Sequence, residues 1–249
     1  MEFTNLNDFV FSYSSVGAYK QCPLSFKKNY IDKEEKVGNW FGQIGSLSHL
    51  VFEEWLKGSI EVFELEPFFK DNYDKNVNIR PPAYPKGMEE NYKTQIADFF
   101  KNTDFNPYDW EIVCLESRHE YNLDGIKIVI KPDAVLKNKQ TGKVHLLDYK
   151  TSKYDAKKQK GYAAQTCLYA KILHLAENIT VDKIDIWYIR ENKLKEVEYD
   201  EQIAQETLTD FKNMVELIRN ENDWKAKPDK YFCFELCSVR NSCLEKRRI

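Results

Sequence analysis

Residues Ile126 to Ser152 read IKIVIKPDAVLKNKQTGKVHLLDYKTS, and their pattern decides the fold. An apolar run carrying one acid, Asp133, leads into a turn-forming polar segment, Asn138 to Gly142. A second apolar run ends in Asp148-Tyr149-Lys150. Side chains alternate between the faces of a strand, so Asp148 and Lys150 project together. A hairpin folded about the polar segment brings Asp133 opposite Asp148. Opposed residues of an antiparallel pair share a face, so two carboxylates and an ammonium converge on one patch. Opposed like charges are destabilising, and a divalent cation between the acids turns that cost into binding. For a lone D-x-K in a chain that is 31% charged, an exposed hairpin with scattered charges is the plainer reading. Here Asp133 follows Pro132 within an apolar run and Asp148 follows Leu146-Leu147. Both acids are expected half-buried, where an unpartnered carboxylate is expensive.

The chain has 249 residues, 42% of them hydrophobic and 14% aromatic, enough to bury a large core and too apolar for a disordered protein. Its 37 basic residues are set against 40 acids, a net charge of −3, which excludes a polyanion-binding surface spread over the whole molecule but not a local one. Lys150, Lys153, Lys157, Lys158 and Lys160 crowd one segment with Asp155 as the only counter-charge, and Lys246-Arg247-Arg248 form a basic tail. Most such runs are solvated faces. No apolar run reaches the length of a membrane span and the first residues lack a basic-then-apolar leader, so a cytoplasmic protein is expected. In that compartment the six cysteines are not expected to form disulfides, and any that cluster become metal ligands. No G-x-x-x-x-G-K-[ST] loop is present, so the chain encodes no ATP-driven motor.

Outward from the hairpin, FSYSSVGAYKQCPLSFKKNYI holds a helix capped by Ser12, Ser14 or Ser15, and Pro23 suits the first turn of the next helix, with Cys22 at the joint. An amphipathic helix runs from about Gly45 to Leu56 and is ended by Gly58. It places His49 and Glu53 on one face, and Gly42, Gly45 and Ser46 leave room for close backbone approach one turn earlier. A lone histidine in such a helix is more often a packing residue than a ligand, and it gains weight only if the helix lies against the acidic hairpin. Residues 58–108 read as a helical insertion, with a proline-rich loop from Asn78 to Gly87 and a helix from Glu89 to Asn102. Trp110 to Leu123 reads as one strand turning at Asp124-Gly125, with Glu116 or Glu120 near the acids and the register open. A helix from about Lys157 to Ala176 carries Gln165 and Tyr169 four apart, a strand follows from Ile184 to Ile189, and a long helix from Glu201 to Arg219. The tail supplies Cys233, Cys237 and Cys243, three ligand-type residues waiting for a fourth. Cys22 is the natural candidate, because Cys114 and Cys167 fall where small hydrophobes are expected. Four thiolates suit zinc or an iron–sulfur cluster equally, with a structural first role in tying segments 1–30 and 225–249 together.

In order, S-Y-S-S (Ser12 to Ser15), C-P (Cys22-Pro23), G-x-x-x-H-x-x-x-E (Gly45, His49, Glu53), P-D (Pro132-Asp133), D-x-K (Asp148, Lys150), Q-x-x-x-Y (Gln165, Tyr169) and the cysteine tail resemble the PD-(D/E)XK nuclease superfamily in its RecB-like iron–sulfur branch, which includes AddB-type nuclease domains and CRISPR-associated and phage stand-alone exonucleases. The resemblance spans Ser12 to Cys243. It implies a single α/β domain over residues 1–249, restriction-endonuclease-like, whose mixed, mostly antiparallel sheet is flanked by helices and whose ends are joined by a cysteine-ligated cluster. Carried over, it makes Asp133, Asp148, His49 and the Tyr149 carbonyl ligands of Mg²⁺ or Mn²⁺, Lys150 the residue that steadies the attacked phosphate, and Glu53 a support for His49. It also lays Gln165, Tyr169 and Lys153 along DNA and makes Cys22, Cys233, Cys237 and Cys243 ligands of a [4Fe–4S] cluster. The spacing Cys233-x3-Cys237 departs from the family's C-x-x-C, so Zn²⁺ stays the alternative. Hard carboxylate oxygens select Mg²⁺ or Mn²⁺, and an imidazole tilts the choice toward Mn²⁺. The implied activity is exonucleolytic cleavage of single-stranded or unwound DNA ends in recombination, repair, phage or CRISPR-adaptation processes, with a helicase or an adaptation protein as partner. A non-catalytic subunit that binds DNA ends, or an endonuclease, is the alternative.

Overall fold

The computed structural model describes residues 6–245; the basic tail Lys246-Arg247-Arg248 lies outside the described residues. The chain alternates between two compact units, one drawn from Met1–Asn39, Glu120–Ile130 and Gln205–Ile249, the other from Trp40–His119 and Lys131–Ala204.

The first unit carries a three-stranded sheet in the order β1 (Val10–Ser12), β4 (Ile126–Ile130), β3 (His119–Leu123), with β1 parallel to β4. Asp124 and Gly125 both take left-handed backbone (φ 50° and 83°) in the turn between β3 and β4, the geometry an Asp-Gly pair favours. Ser12 caps α1 (Tyr13–Gln21) in a reciprocal box with Ser15. Pro23 opens α2 (Pro23–Phe26), which runs on into a π-helical turn, Lys27–Ile31. From Gln205 onward α7 (Glu201–Arg219) belongs to this unit, and a second π-helical turn covers Phe232–Leu236. Phe26 anchors the core, with Trp224 stacked on it at 6.0 Å, and Tyr19 Oη donates to Glu221 (2.6 Å).

The second unit is built on a five-stranded mixed sheet in the order β2 (Trp110–Leu115), β5 (Ala134–Asn138), β6 (Val144–Lys150), β7 (Lys183–Tyr188), β8 (Lys193–Val197). Only β6 and β7 run parallel, joined by the crossover helix α6 (Ala156–Glu177). The central strands are apolar on both faces because both are covered. The helices α3 (Trp40–Leu56), α4 (Leu65–Asn76) and α5 (Met88–Asn102) supply the aromatic core. Phe52 stacks flat on Tyr149 at 3.9 Å, and Trp40 Nε1 donates to Tyr73 Oη (3.2 Å). No described helix is long and apolar enough to cross a membrane.

The α/β class with flanking helices holds, but the expected single, mostly antiparallel sheet is two sheets. The run from Trp110 to Leu123 breaks at Glu116, whose backbone is left-handed (φ 45°), so β2 and β3 enter different sheets. The apolar run from Ile126 breaks at Pro132, which has no N–H for a strand ladder, so β4 and β5 part in the same way.

Candidate metal centre

The hairpin of β5 and β6 sets the geometry. Asn138 Oδ1 accepts the N–H groups of Gln140 and Thr141, and Gly142 closes the turn at φ 70°. Ala134 pairs with Leu147 and Val135 with Leu146, so the register carried one step further sets Asp133 level with Asp148. Asp133 Oδ2 accepts the Tyr149 N–H at 2.7 Å, which fixes that carboxylate on its neighbour strand. Asp148 is buried (5% exposed), and Lys150, two residues along the same face, brings Nζ to 2.6 Å from its Oδ2. That ammonium is the one donor close to this buried oxygen among the described residues. Lys150 also lies over the Tyr162 ring, 4.7 Å from its centre. A buried carboxylate oxygen short of donors is costly by itself and well suited to a cation.

The third group comes from α3, where His49 Nδ1 sits 2.9 Å from Glu116 Oε1 and 3.5 Å from Asp133 Oδ1. The left-handed backbone at Glu116 follows a register shift in β2 between Ile112 and Cys114, and the Glu116 N–H donates to the Asp133 carbonyl (3.0 Å). A non-glycine residue held in this conformation stores strain of the kind found at functional sites. Lys131 Nζ holds the other Glu116 oxygen at 2.6 Å. Among the described residues, His49, Glu116 and Asp133 are the set of three or more metal-type ligands whose atoms all lie within 4.8 Å of one another. A cleft of about 500 Å³ opens on this set, lined in part by Gly42, Gly45, Ser46 and Glu53. Glu53 engages Lys57 (2.6 Å), and it is Glu116 that bonds the imidazole. The sequence left Glu116 and Glu120 open, because a strand's register does not show that its end will turn left-handed.

Electrostatics mark the same spot. Burial, together with the neighbouring Asp148 charge, pushes the Asp133 carboxyl up to about 6, against the opposing pull of His49. Burial would lower His49, but the Glu116 hydrogen bond and the Asp133 and Asp148 charges leave it above its ordinary value. Burial likewise works against the Lys150 ammonium, and Asp148 outweighs it, keeping the lysine charged. Protons therefore occupy this site at mildly acidic pH, and a metal would displace them. On α6, Gln165 Nε2 donates to Tyr169 Oη (3.1 Å); Tyr169 is buried, and the charges of Asp148 and Asp133 reach it. Lys153 is exposed.

The first unit gathers the four tail-and-joint cysteines, all free thiols. Cys22 and Cys237 are buried; the Lys227 N–H donates to Cys22 Sγ, and Ser25 Oγ and Cys237 Sγ share a hydrogen bond, each at 3.5 Å. Cys233 is pushed up first by burial and then by the charges of Cys237, Cys22 and Cys243, so the four sulfurs share one electrostatic neighbourhood. The three residues between Cys233 and Cys237 lie in the π-helical turn, where the Cys237 N–H reaches back five residues to the Phe232 carbonyl (2.8 Å). A zinc tetrahedron with 2.3 Å bonds would need sulfurs about 3.8 Å apart. No three of these sulfurs approach within 4.8 Å of one another. A cluster in which each thiolate takes its own iron tolerates wider spacing, and the N–H and hydroxyl partners are of the kind that tune such sulfurs.

Two units, one of them a mixed sheet whose hairpin and flanking helix converge on acids, a lysine and an imidazole, define a restriction-endonuclease-like α/β protein. The sequence model of the PD-(D/E)XK nuclease superfamily matches residues 10–244, and the chain belongs to that superfamily of nucleases. Its nucleases use divalent metal ions. A crystal structure of a candidate exonuclease from Eubacterium rectale has a similar fold, with a TM-score of 0.50 at 18% identity over 97% of this chain and 93% of that one. No curated protein matches.

Proposed function

We propose that the protein is a metal-dependent DNA exonuclease of the RecB-like iron–sulfur branch, acting on single-stranded or unwound DNA ends. The observation that carries this reading is the placing of Asp133 and Asp148 on one hairpin, with Lys150 against Asp148 and His49 against Asp133. Asp133, Asp148, His49 and the Tyr149 carbonyl would hold Mg²⁺ or Mn²⁺, with Glu116 as a further carboxylate within reach. A divalent ion held there would supply Lewis-acid chemistry at a phosphodiester and a water of lowered pKa. The Tyr149 N–H keeps Asp133 aimed, and Glu116 fixes the imidazole of His49. Lys150 holds a positive charge where the transition state gathers negative charge. Gln165, Tyr169 and Lys153 lie along the strand. Cys22, Cys233, Cys237 and Cys243 hold a [4Fe–4S] cluster, and Zn²⁺ is the alternative that metal analysis decides. A helicase or a recombination or adaptation protein is the proposed partner that would open duplex ends.

The test is cleavage of end-labelled linear and covalently closed circular DNA with each metal, using anaerobically purified protein. The exonuclease reading expects linear DNA to shorten from its ends while circles survive. Nicked circles would make it an endonuclease. Binding of ends that survives EDTA, with no cleavage under either metal, would make it a non-catalytic subunit.

A further inference from the structure

Beyond the metal centre, the second unit has a groove of about 640 Å³ between α5 and the segment that follows β6. Its walls include Tyr92 of α5, Ser152, Lys153, Tyr154 and Lys158 after the catalytic strand, and Arg190 from the turn after β7. The groove's two lysines are poorly neutralised, whereas the Glu191 charge reaches Arg190 and the Glu191 carboxylate accepts the Tyr154 N–H (2.8 Å). Among the described residues, neither Lys153 nor Lys158 has an acid within 4.0 Å, and Asp155 is committed to capping α6 through the Lys157 N–H. Arg190 is held in place: its guanidinium lies over Tyr92, 3.3 Å from the ring centre, and its Nε donates to Gln95 (3.0 Å), while no described residue accepts a hydrogen bond from its two Nη groups. Lys193 sits over Tyr154 at 3.7 Å in the same manner. The Ser152 hydroxyl is buried and unpartnered. The groove also begins at the catalytic end of β6. Ser152 is two residues past Lys150, a span of at most about 7 Å of chain. The rings of Tyr154, Tyr188 and Tyr162 step at 5.5 Å and 6.4 Å toward the Lys150 ammonium.

We propose that this groove is a binding subsite for a single strand of DNA, gripping the backbone phosphates next to the one being cleaved, with α5 of the helical insertion as one wall. A preorganised guanidinium edge and unpaired ammonium groups are the chemistry of a phosphodiester. A cleft of this size takes a nucleotide or two and is too narrow for a duplex. The choice of DNA rests on the nuclease reading; the groove's chemistry does not.

The experiment measures fluorescence anisotropy of a labelled oligo-dT strand and of a blunt duplex with the full chain in EDTA, over a series of salt concentrations. Arg190→Ala is expected to weaken single-strand binding about ten-fold while leaving blunt-duplex binding near its wild-type value. Lys153→Ala/Lys158→Ala, both at exposed positions that folding does not need, is expected to lower the salt slope by about 1.4, or 0.7 for each lost phosphate contact. Wild-type affinity and slope in the double variant would overturn the proposal, as would equal losses on duplex and single strand. Groove-dependent binding by a chain that cleaves nothing would leave this subsite standing and sink the nuclease reading. Cleavage by wild type alongside unaltered single-strand binding by the variants would do the reverse.

Discussion

The acids of the five-stranded sheet and the cysteines of the terminal unit are the two proposed sets of ligands, and they are arranged in opposite ways. Asp133, Asp148 and Lys150 sit on paired strands whose ladder sets their spacing, and His49 pairs with Asp133 and with Glu116. The cysteines sit at a helix joint, in a π-helical turn and in the tail, near one another yet not drawn into a tight set. Hard ligands on a rigid frame are arranged before the ion arrives and lose little stability without it; soft ligands on turns are completed by what they bind.

The largest effect expected on the first side of that contrast is chemical. Asp148→Ala and Lys150→Ala should lower DNA cleavage by at least about 10²–10³-fold. Because each leaves a buried or half-buried partner unpaired, calorimetry on the same samples should show a lowered melting temperature with the protein still folded at the assay temperature. Activity within a few-fold of wild type would place the chemistry elsewhere. On the second side the effect is structural: under the proposed [4Fe–4S] reading, anaerobically purified wild type is brown, and Cys237→Ala should lack that colour and lose about 10 °C of melting temperature. Smaller is Glu116→Gln, which leaves the fold and His49 in place but weakens the support of the imidazole. Mn²⁺ affinity by calorimetric titration should fall about 10–100-fold.

The smallest effect has an informative sign. Because the Asp133 carboxyl is pushed up to about 6, its penalty on the metal-free fold is complete above that pH and fades as pH falls toward the ordinary aspartate range. Asp133→Asn should therefore melt a few degrees higher than wild type at pH 7.5 in EDTA, and the gain should vanish near pH 4. A lower melting temperature at pH 7.5 would show that the acid stabilises the empty site.

What could be read from the chain was local. Turn chemistry at Asn138 and Gly142 and the alternation in Leu146 to Lys150 suffice to fold the hairpin and set Asp133 level with Asp148. The bounds of the helix carrying Gln165 follow from its cap and periodicity, and so does the end of the helix carrying His49, whose start at Trp40 lies five residues before the expected Gly45. Which sheet a strand joins was not legible, because an apolar run looks the same on either side of Pro132. Glu116 needed a backbone reversal that no residue type demands, and Arg190 meets Tyr92 only through tertiary packing of a distant helix.

The central claim is that one divalent cation lies between the hairpin acids beside the imidazole. Anomalous scattering from a crystal soaked in Mn²⁺ tests it most directly. The expected peak lies within about 2.0–2.3 Å of oxygens of Asp133 and Asp148, next to His49, with Lys150 freed from Asp148. A fully soaked crystal with no peak there, or with Mn²⁺ bound only elsewhere, would contradict it.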